Sequence, residues 1–297
     1  MRILMIYNPV SGLSGSRGTR IGNALFRLGE NDGDVVVYQT KSKDDGAEYL
    51  AKHSDEKYDM IVVSGGDGTL HEIVNAVMKL GIDSKIGYLP SGSTNDYAKN
   101  LGINPRNSVE NLFNPKIREL DLGLFNGEYF TYVAAFGLCT DIPYSTPQSL
   151  KNSMGYLAYL LEGAKELTDM KPIRIKCKTD NELIEDTFVV GLVTNALSVG
   201  GMKRRDSQTK LDDGLMEYVF IKFPQNIIEV RNIVFRLLNS MFDEKYMYYG
   251  SSSSFIIDSE EMTWTLDGES SGQAVSHTEI ETCRNALSIA VGKGKNE

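Results

Sequence analysis

The chain has 297 residues, of which 41% are hydrophobic and 24% are charged, and its formal net charge is −9. This composition is typical of a globular protein with one large domain or two modest ones. Such an acidic chain lacks the basic surface that nucleic-acid binding requires, so we expect no nucleic-acid partner and no polybasic membrane anchor.

The spacing of the cysteines and histidines and the length of the apolar runs argue against disulfide-rich, zinc-binding, secreted and membrane-spanning proteins. The three cysteines show no C-x-x-C spacing, and the three histidines show no metal-ligand spacing (Cys139, Cys177, Cys283; His53, His71, His277). We expect reduced thiols, without a disulfide framework or a zinc site. The N-terminus does not resemble a signal peptide, and no run reaches the roughly 20 apolar residues of a spanning helix. The sequence therefore predicts a cytoplasmic protein.

The first 122 residues show strand and helix patterns in alternation. Short apolar runs, "ILMIY", "DVVVYQT", "DMIVVSGG" and "KIGYLP", predict strands. Helical spacing separates them, first at Ile21, Ala24, Leu25 and Leu28, then at Ile73, Val74, Val77 and Leu80. This βαβα order predicts a mostly parallel sheet with its ligand crevice at the carboxyl ends of the strands.

Three loops leave those ends: "NPVSG", "SGGDGT" and "PSGSTND". The glycines of "SGGDGT" let backbone N–H groups approach a phosphate, and we expect the following helix to begin near Leu70. Asp67 has the wrong charge to contact phosphate directly, but a carboxylate can hold hydrated Mg²⁺ between itself and a polyphosphate. Asp96 lies in a similar strand-to-helix position. The alternative is a structural turn with Asp67 as a helix cap.

After residue 122 the pattern becomes that of an antiparallel β domain, which we place at 123–283. "LDLGLFNGEYFTYVAAF" reads as two extended runs joined by Asn126-Gly127, a pair typical of type I′ hairpins. Later extended runs include "IRIKCKTDNELIEDTFVVGLV", "GLMEYVFIKF" and "MTWTLDGE". Two helices are expected, near Leu150 to Leu167 and near Ile227 to Met241. Residues 284–297 are candidates to rejoin the first domain.

Two stretches together resemble a known family. "VVSGGDGTLHEIVNAV" followed by "GYLPSGSTNDYAKNLGI" is similar to the diacylglycerol kinase catalytic domain, particularly in its soluble bacterial lipid kinases. "GGDGT" is shared with NAD kinases and loosely with phosphofructokinases, whereas "PSGSTNDYA" is more specific. "NPVSG", "LDLG", "DDGLM" and "LDGE" follow the family's order. The resemblance implies a three-layer α/β N-terminal domain of the NAD kinase and phosphofructokinase type, with an antiparallel β-sandwich C-terminal domain.

The resemblance also implies roles for individual residues. ATP would lie against loop residues of the first domain (Asn8, Pro9, Val10, Ser11, Gly12, Thr40, Gly65, Gly66, Asp67, Gly68, Thr69, Leu70, His71, Glu72, Ser93, Thr94, Asn95). Asp67, Asp96 and Asp121 resemble the carboxylates that hold the catalytic Mg²⁺ through water. Glu269 resembles the general base. Asp213, with backbone oxygens of Lys210 and Leu215, resembles a second Mg²⁺ site, although "LDDGL" alone reads as a turn.

The chain departs from the family pattern at two positions. Leu13 stands where a basic residue is common in the family, so other basic residues must neutralise the phosphate charge. The candidates are Arg17, Arg20 and Lys151. Ser93 replaces the usual threonine and keeps its hydroxyl.

The function implied is an ATP- and Mg²⁺-dependent lipid kinase that acts on diacylglycerol or a related lipid at the membrane surface. An apolar stripe on the second predicted helix is a candidate lipid contact, although core packing explains such stripes more often. Basic residues Lys203 to Arg205 are candidates to meet anionic headgroups. The alternatives are a NAD kinase-like enzyme and a non-catalytic nucleotide-binding regulator. Both a monomer and a homodimer stay open.

Overall fold

The computed structural model describes residues 1–10, 20–27, 34–92, 95–113, 115–137, 171–196, 210–239 and 241–292. The chain divides into two units. One consists of Met1–Leu120 with Asn285–Glu297, and the other is Asp121–Arg284.

The first unit contains the predicted parallel sheet. Its four strands lie in the order β2-β1-β3-β4, and each neighbouring pair is parallel. Their bounds are β1 Arg2–Tyr7, β2 Asp34–Gln39, β3 Met60–Gly65 and β4 Lys85–Pro90. All six residues of β3 are buried, as are four consecutive residues of β1, which explains why these strands are continuous apolar runs.

Helices connect and cover these strands. They are α1 (residues 20–27), α2 Asp45–Lys52, α3 Asp67–Leu80, α4 Asp96–Asn100 and α5 Glu110–Phe113. The main helix α3 begins three residues earlier than predicted, because Leu70 N already donates to Gly66 O at 3.1 Å. The turn between β3 and α3 is therefore very short, and Asp67 is the first helical residue.

The second unit is built from antiparallel strands. The path runs β14-β13-β7-β9-β8-β12-β15, while β10 joins β9, β11 joins β10, and β5 pairs with β6. Their bounds are β5 Lys116–Phe125, β6 Glu128–Phe130, β7 Val133–Gly137, β8 Ile173–Thr179, β9 Leu183–Thr194, β10 Met216–Lys222, β11 Met247–Ser252, β12 Ser254–Met262, β13 Trp264–Leu266, β14 Glu269–Ser270 and β15 Val275–Val291. Two strands belong to both units. β5 begins in the first unit and passes into this one at Asp121, and β15 begins in this unit and ends in the first, where Ile289 pairs with Ile86 of β4 in parallel.

The predicted Asn126-Gly127 hairpin is present between β5 and β6. Both residues have positive φ, 44° and 88°, as a type I′ turn requires. The extended run that follows is not one strand, as predicted, but two. It breaks between β6 and β7 because the N–H groups of Thr131, Tyr132 and Val133 donate to the carboxylate of Asp267.

The second unit also contains helix α6, Ile227–Leu238, which ends three residues before the predicted Met241. The side chain of Asn226 accepts from Glu229 N at 3.0 Å and caps its first turn. The helix packs into the core through Val230, Ile233, Val234 and Leu237. The core explanation of the apolar stripe is therefore correct for Val230, Val234 and Leu237, whereas its other members, Ile227, Leu238 and Met241, are exposed.

Two further expectations concern helices. The helix predicted near Leu150 to Leu167 lies outside the described residues. Within the part of the chain that the structure describes, no helix combines the length and the apolar character needed to cross a membrane.

Candidate active site

The loops that follow the strands of the first unit are joined to one another by backbone hydrogen bonds. Asn8 N donates to Ser64 O at 2.9 Å, and Ser91 N donates to Gly65 O at 2.8 Å. Thr40 N donates to Tyr7 O at 3.0 Å. These bonds continue the strand ladders past the ends of the sheet, so the loops after β1, β2, β3 and β4 form one edge.

Two glycines of this edge approach each other closely. A Cβ atom placed on Gly92 would lie 2.5 Å from Gly66 Cα, and one on Gly66 would lie 3.2 Å from Gly92 Cα. A side chain at Gly65 would collide with Thr69, whose Cβ would be 2.4 Å away. These glycines are required by the close approach of chain to chain, since none of the three has positive φ. The result is a surface in which the backbone itself is the accessible group.

Asp67 links the two glycine-rich loops. Its carboxylate accepts hydrogen bonds from Asp96 N at 3.0 Å and Tyr97 N at 3.3 Å. Asp67 thus caps a helix, as the structural alternative proposed, but the helix is α4 of the next loop and not its own helix α3. The same contact places the Asp67 carboxylate against the backbone of Asp96 at one edge of the sheet.

The second loop has its own internal hydrogen bonds. Asn95 has φ of 49°, and its side chain accepts from Gly92 N and donates to Gly92 O, both at 2.8 Å. The Asp96 carboxylate forms an ion pair with Lys99 Nζ at 2.8 Å. The direction of Asp96 is therefore set by the first turn of α4.

Several predicted nucleotide-binding residues direct their side chains into the protein. Leu70 is fully buried, and His71 is buried beside Asn75. Glu72 accepts from Ala47 N at 3.0 Å, and burial raises the pKa of this carboxyl group. Leu70 and His71 can serve a ligand only through their backbone or by shaping the helix, and the half-buried Glu72 is occupied with the N-terminus of α2.

Other predicted residues lie directly at the edge. Asn8 Nδ2 donates to Thr69 Oγ1 at 3.3 Å, and Asn8 Oδ1 accepts from Val10 N at 2.9 Å. Arg20, one of the candidates to replace the missing basic residue, donates to Pro90 O at 2.9 Å. Pro9 and Gly68 also lie within the described residues. The predicted positions outside the described residues are Ser11, Gly12, Leu13, Arg17, Ser93, Thr94, Lys151 and Lys203 to Arg205.

Asp121 belongs to the second unit and is completely buried. Its carboxylate accepts from Gly214 N at 2.6 Å, and its backbone N donates to Leu211 O at 2.8 Å. Its carbonyl oxygen accepts from Asn195 Nδ2 at 2.7 Å. Asp121 is thereby attached to the "LDDGL" loop by both its backbone and its side chain.

The "LDDGL" loop has the geometry of a tight turn. Asp213 Oδ1 accepts from Leu215 N at 3.1 Å, and Gly214 has φ of 83°. Across the described ranges, no group of three or more His, Cys, Asp or Glu side chains is arranged to hold a metal ion directly. The second Mg²⁺ site at Asp213, Lys210 and Leu215 stays a prediction.

Glu269 is the first residue of β14, a strand of two residues. It pairs with Leu266 across a tight turn made by Asp267 and Gly268, whose φ values are 51° and 87°. The side chain is partly exposed. The sequence singled out Glu269 in "LDGE" but missed its neighbour Asp267, although Asp-Gly is a recognisable turn pair.

Residues 2–125 match the family model described as the diacylglycerol kinase catalytic domain. A protein named diacylglycerol kinase from Bacillus subtilis (strain 168) is 30% identical over 277 residues, which cover 91% of this chain and 90% of that protein. The chain belongs to the diacylglycerol kinase family. It is accordingly a phosphotransferase with an alcohol group as acceptor, of the lipid kinase type.

Further relatives agree with this family assignment. The diacylglycerol kinase of Staphylococcus saprophyticus is 27% identical over 92% of this chain and 90% of its own length. A crystal structure described as that of a diacylglycerol kinase from Bacillus anthracis str. Sterne superposes with a TM-score of 0.73 at 21% identity, covering 98% of this chain and 97% of that one. This likeness supports the fold, an α/β unit followed by an antiparallel β unit.

Proposed function

We propose that this protein is an ATP- and Mg²⁺-dependent lipid kinase that transfers the γ-phosphoryl group of ATP to the free hydroxyl of diacylglycerol. The observation that carries the proposal is the glycine-lined edge of the first unit, where Gly66 and Gly92 bring two loops into backbone contact beside Asp67. The acceptor is proposed from the name that its relatives in Bacillus and Staphylococcus bear.

The nucleotide phosphates would lie against the N-terminus of α3 and the adjoining loops. This helix is 14 residues long and begins at Asp67, so its first-turn N–H groups and its dipole favour an anion there. Gly66 and Gly68 keep side chains out of the way, and Thr69 supplies a hydroxyl. Asn8, bonded to Thr69 Oγ1, would hold the first loop against the same phosphates.

The carboxylates present fit a hydrated Mg²⁺. This ion typically uses one or two protein carboxylates together with phosphate oxygens and water, so a direct cage of three or more side chains is not required. Asp67 and Asp96, which are both partly exposed, would hold it. The family resemblance also assigns Asp121, but this carboxylate is completely buried and accepts from Gly214 N, so its part in metal binding stays a prediction. When bound, the ion would neutralise charge on the phosphate oxygens.

Glu269 would act as the general base. A carboxylate that accepts the proton of the acceptor hydroxyl allows that oxygen to attack the γ-phosphorus, while the bond to the β-phosphate oxygen breaks and ADP leaves. The products are ADP and a phosphorylated lipid, and the proton passes from Glu269 to water in the next step. Glu269 is partly exposed and directly follows the turn of its hairpin, a position compatible with contact to a substrate.

We propose that the enzyme acts from the cytoplasmic side and contacts the membrane surface only during catalysis. The lipid substrate is then the partner that brings the protein to the bilayer. Whether it works as a monomer or a homodimer can be decided by sedimentation in the presence of lipid.

The test is transfer of labelled γ-phosphate from Mg·ATP to diacylglycerol, monoacylglycerol, ceramide, sphingosine and phosphatidylglycerol in mixed micelles, with NAD as a soluble acceptor. We expect label in phosphatidic acid. Label in NADP would replace this proposal with a NAD kinase. Label in no acceptor, with ATP still bound, would replace it with a nucleotide-binding regulator.

A further inference from the structure

The carboxylate of Asp267 is buried and surrounded by hydrogen-bond donors. It is only 5% exposed and accepts four hydrogen bonds from the loop between β6 and β7. Oδ2 accepts from Thr131 N at 2.7 Å and Thr131 Oγ1 at 2.9 Å. Oδ1 accepts from Tyr132 N at 2.8 Å and Val133 N at 3.1 Å.

These four bonds exhaust the ordinary capacity of the group. A carboxylate offers about four acceptor positions, two on each oxygen, and here each oxygen receives two donors. Three of the donors are backbone N–H groups that leave the strand ladder to make this contact. Such a carboxylate is suited to fixing two chain segments together, and not to accepting a proton from a substrate.

The segment that Asp267 holds is the hairpin of Glu269. Asp267 N also donates to Val133 O at 2.8 Å, so the turn is tied to the 131–133 loop by backbone and side chain. The other end of the hairpin is fixed, because Trp264 is fully buried and its carbonyl accepts from Ser271 N at 2.9 Å.

Between these attachments lies the short strand that carries Glu269. β14 has two residues and is paired with β13. The turn residues Asp267 and Gly268 both have positive φ, as a type I′ turn requires, and the Asp-Gly pair is suited to it. Glu269 follows Asp267 by two residues, so the Asp267 attachment fixes the start of the turn from which Glu269 leaves.

We propose that Asp267 is a positioning residue, which holds the candidate base Glu269 in its working direction by anchoring the hairpin to the 131–133 loop. The proposal rests on the function proposed for Glu269. Thr131 contributes to the same anchor, because its hydroxyl donates one of the four hydrogen bonds to Asp267.

The main variant is Asp267→Asn, which keeps the size of the side chain but places an NH₂ group against N–H donors. We expect kcat for lipid phosphorylation to fall about 100-fold, since misplacement of a catalytic group by about 1 Å has effects of this size. The KM for ATP should change less than about threefold, because nucleotide binding is assigned to the other unit. Equal loss in kcat and in ATP affinity would contradict the proposal.

A double-mutant cycle separates positioning from general damage. If Asp267 acts through Glu269, then Asp267→Asn added to Glu269→Gln should lower kcat by less than about twofold beyond Glu269→Gln alone. If the two losses multiply, Asp267 acts by another route and the proposal is wrong.

Thr131 provides graded variants that keep the buried carboxylate. Thr131→Val removes one bond and should lower kcat about three- to tenfold, whereas Thr131→Ser should restore it. A lowered kcat in both Thr131 variants, or in neither, would argue against the role proposed for the Thr131–Asp267 hydrogen bond. Asp180→Asn is the matched control, since Asp180 also accepts backbone and hydroxyl donors in this unit, from Ser253 N and Ser254 Oγ, but lies in a different turn. It should keep normal kcat.

Amide hydrogen exchange tests the anchor without reference to activity. Exchange in residues 267–271 should rise at least about tenfold in Asp267→Asn and stay unchanged in α3. Unchanged exchange would refute the anchor. Raised exchange together with full activity of Glu269→Gln would instead uphold the anchor and remove Glu269 as the base, so the two ideas fail separately.

Discussion

The carboxylates of Asp67 and Asp267 make the same kind of contact, but the two residues have different roles. Each carboxylate accepts backbone N–H groups from a neighbouring loop and so joins two chain segments within its own unit. At Asp67 the two bonds are 3.0 and 3.3 Å long and the residue is half-buried. At Asp267 there are four bonds of 2.7 to 3.1 Å, and the residue is buried.

The difference shows how a carboxylate's surroundings decide its role. Asp267 is saturated by donors and can only fix geometry, whereas Asp67 lies beside glycines that expose backbone at the edge of a parallel sheet. Asp67 caps α4, but it is only half-buried. Its carboxylate therefore lies at the surface where a phosphate-bound cation would bind. The following variants test this division.

The largest effect is expected for Asp67→Ala. Removal of a carboxylate that would hold Mg²⁺ should lower phosphoryl transfer about 1,000-fold, the upper range for one electrostatic contact in an active site. Thermal unfolding should show a folded protein, because two moderate hydrogen bonds contribute only about 1–3 kcal/mol together. Activity above about a tenth of wild type would remove Asp67 from the metal site and leave it as a cap.

The second largest loss of activity is expected for Glu269→Gln. Loss of a general base typically costs about 100- to 10,000-fold in rate, and the amide keeps the shape of the hairpin. The KM for ATP should stay within about threefold of wild type. Steady-state kinetics with varied ATP at saturating lipid measures both values, and an effect on ATP binding alone would refute the base assignment.

Much of the first unit was predictable because its signals are local. Buried parallel strands read as apolar runs, and the Gly-rich loops after them mark the crevice edge. The short helices α2 and α5 were not predicted, since eight and four residues carry too little apolar periodicity, whereas the helix after "PSGSTND" was expected and is α4. The start of α3 was placed too late because glycine is a poor helix former, yet Gly68 lies in the first turn where packing decides.

In the second unit the hairpin at Asn126-Gly127 followed from turn chemistry, but the break between β6 and β7 did not. Its cause is Asp267, which is more than 130 residues away in the chain. The same separation hid Asp267 as an anchor, and a separation of 74 residues hid Asn195 as a partner of Asp121. Sequence patterns report local periodicity, and contacts made across a sheet leave no trace in them.

Gly92→Ala tests whether the glycine-lined edge depends on close approach. The new methyl group would lie 2.5 Å from Gly66 Cα, so one loop must move. We expect a KM for ATP raised about tenfold and a loss of about 1–3 kcal/mol in stability, as for other overpacked sites. Gly22→Ala in the same unit is the control, because nothing lies within 4 Å of its added Cβ. It should leave kinetics unchanged and raise stability by up to about 1 kcal/mol.

Asp180 makes contacts like those of Asp267 but is exposed. Its replacement by asparagine should have the smallest effect of the variants considered. Its carboxylate accepts from Ser253 N at 2.6 Å and Ser254 Oγ at 2.8 Å. The hydrogen bond from Ser253 is the main cause that lowers the pKa of Asp180 to about 2. Because the folded-state pKa lies below the ordinary value of 3.8, the stabilisation is present above that value and disappears as the pH falls towards about 2.

Asp180→Asn should therefore unfold at a slightly lower temperature than wild type at pH 6, and the difference should shrink between pH 4 and pH 2.5, an interval of about the width that this linkage predicts. Solvent screening of the exposed carboxylate keeps the effect small. Paired thermal unfolding at each pH measures it. A difference that grew on acidification would mean that the bonds to Ser253 and Ser254 do not favour the ionised carboxylate, and a large loss at pH 6 would mean that burial is not what separates Asp267 from Asp180.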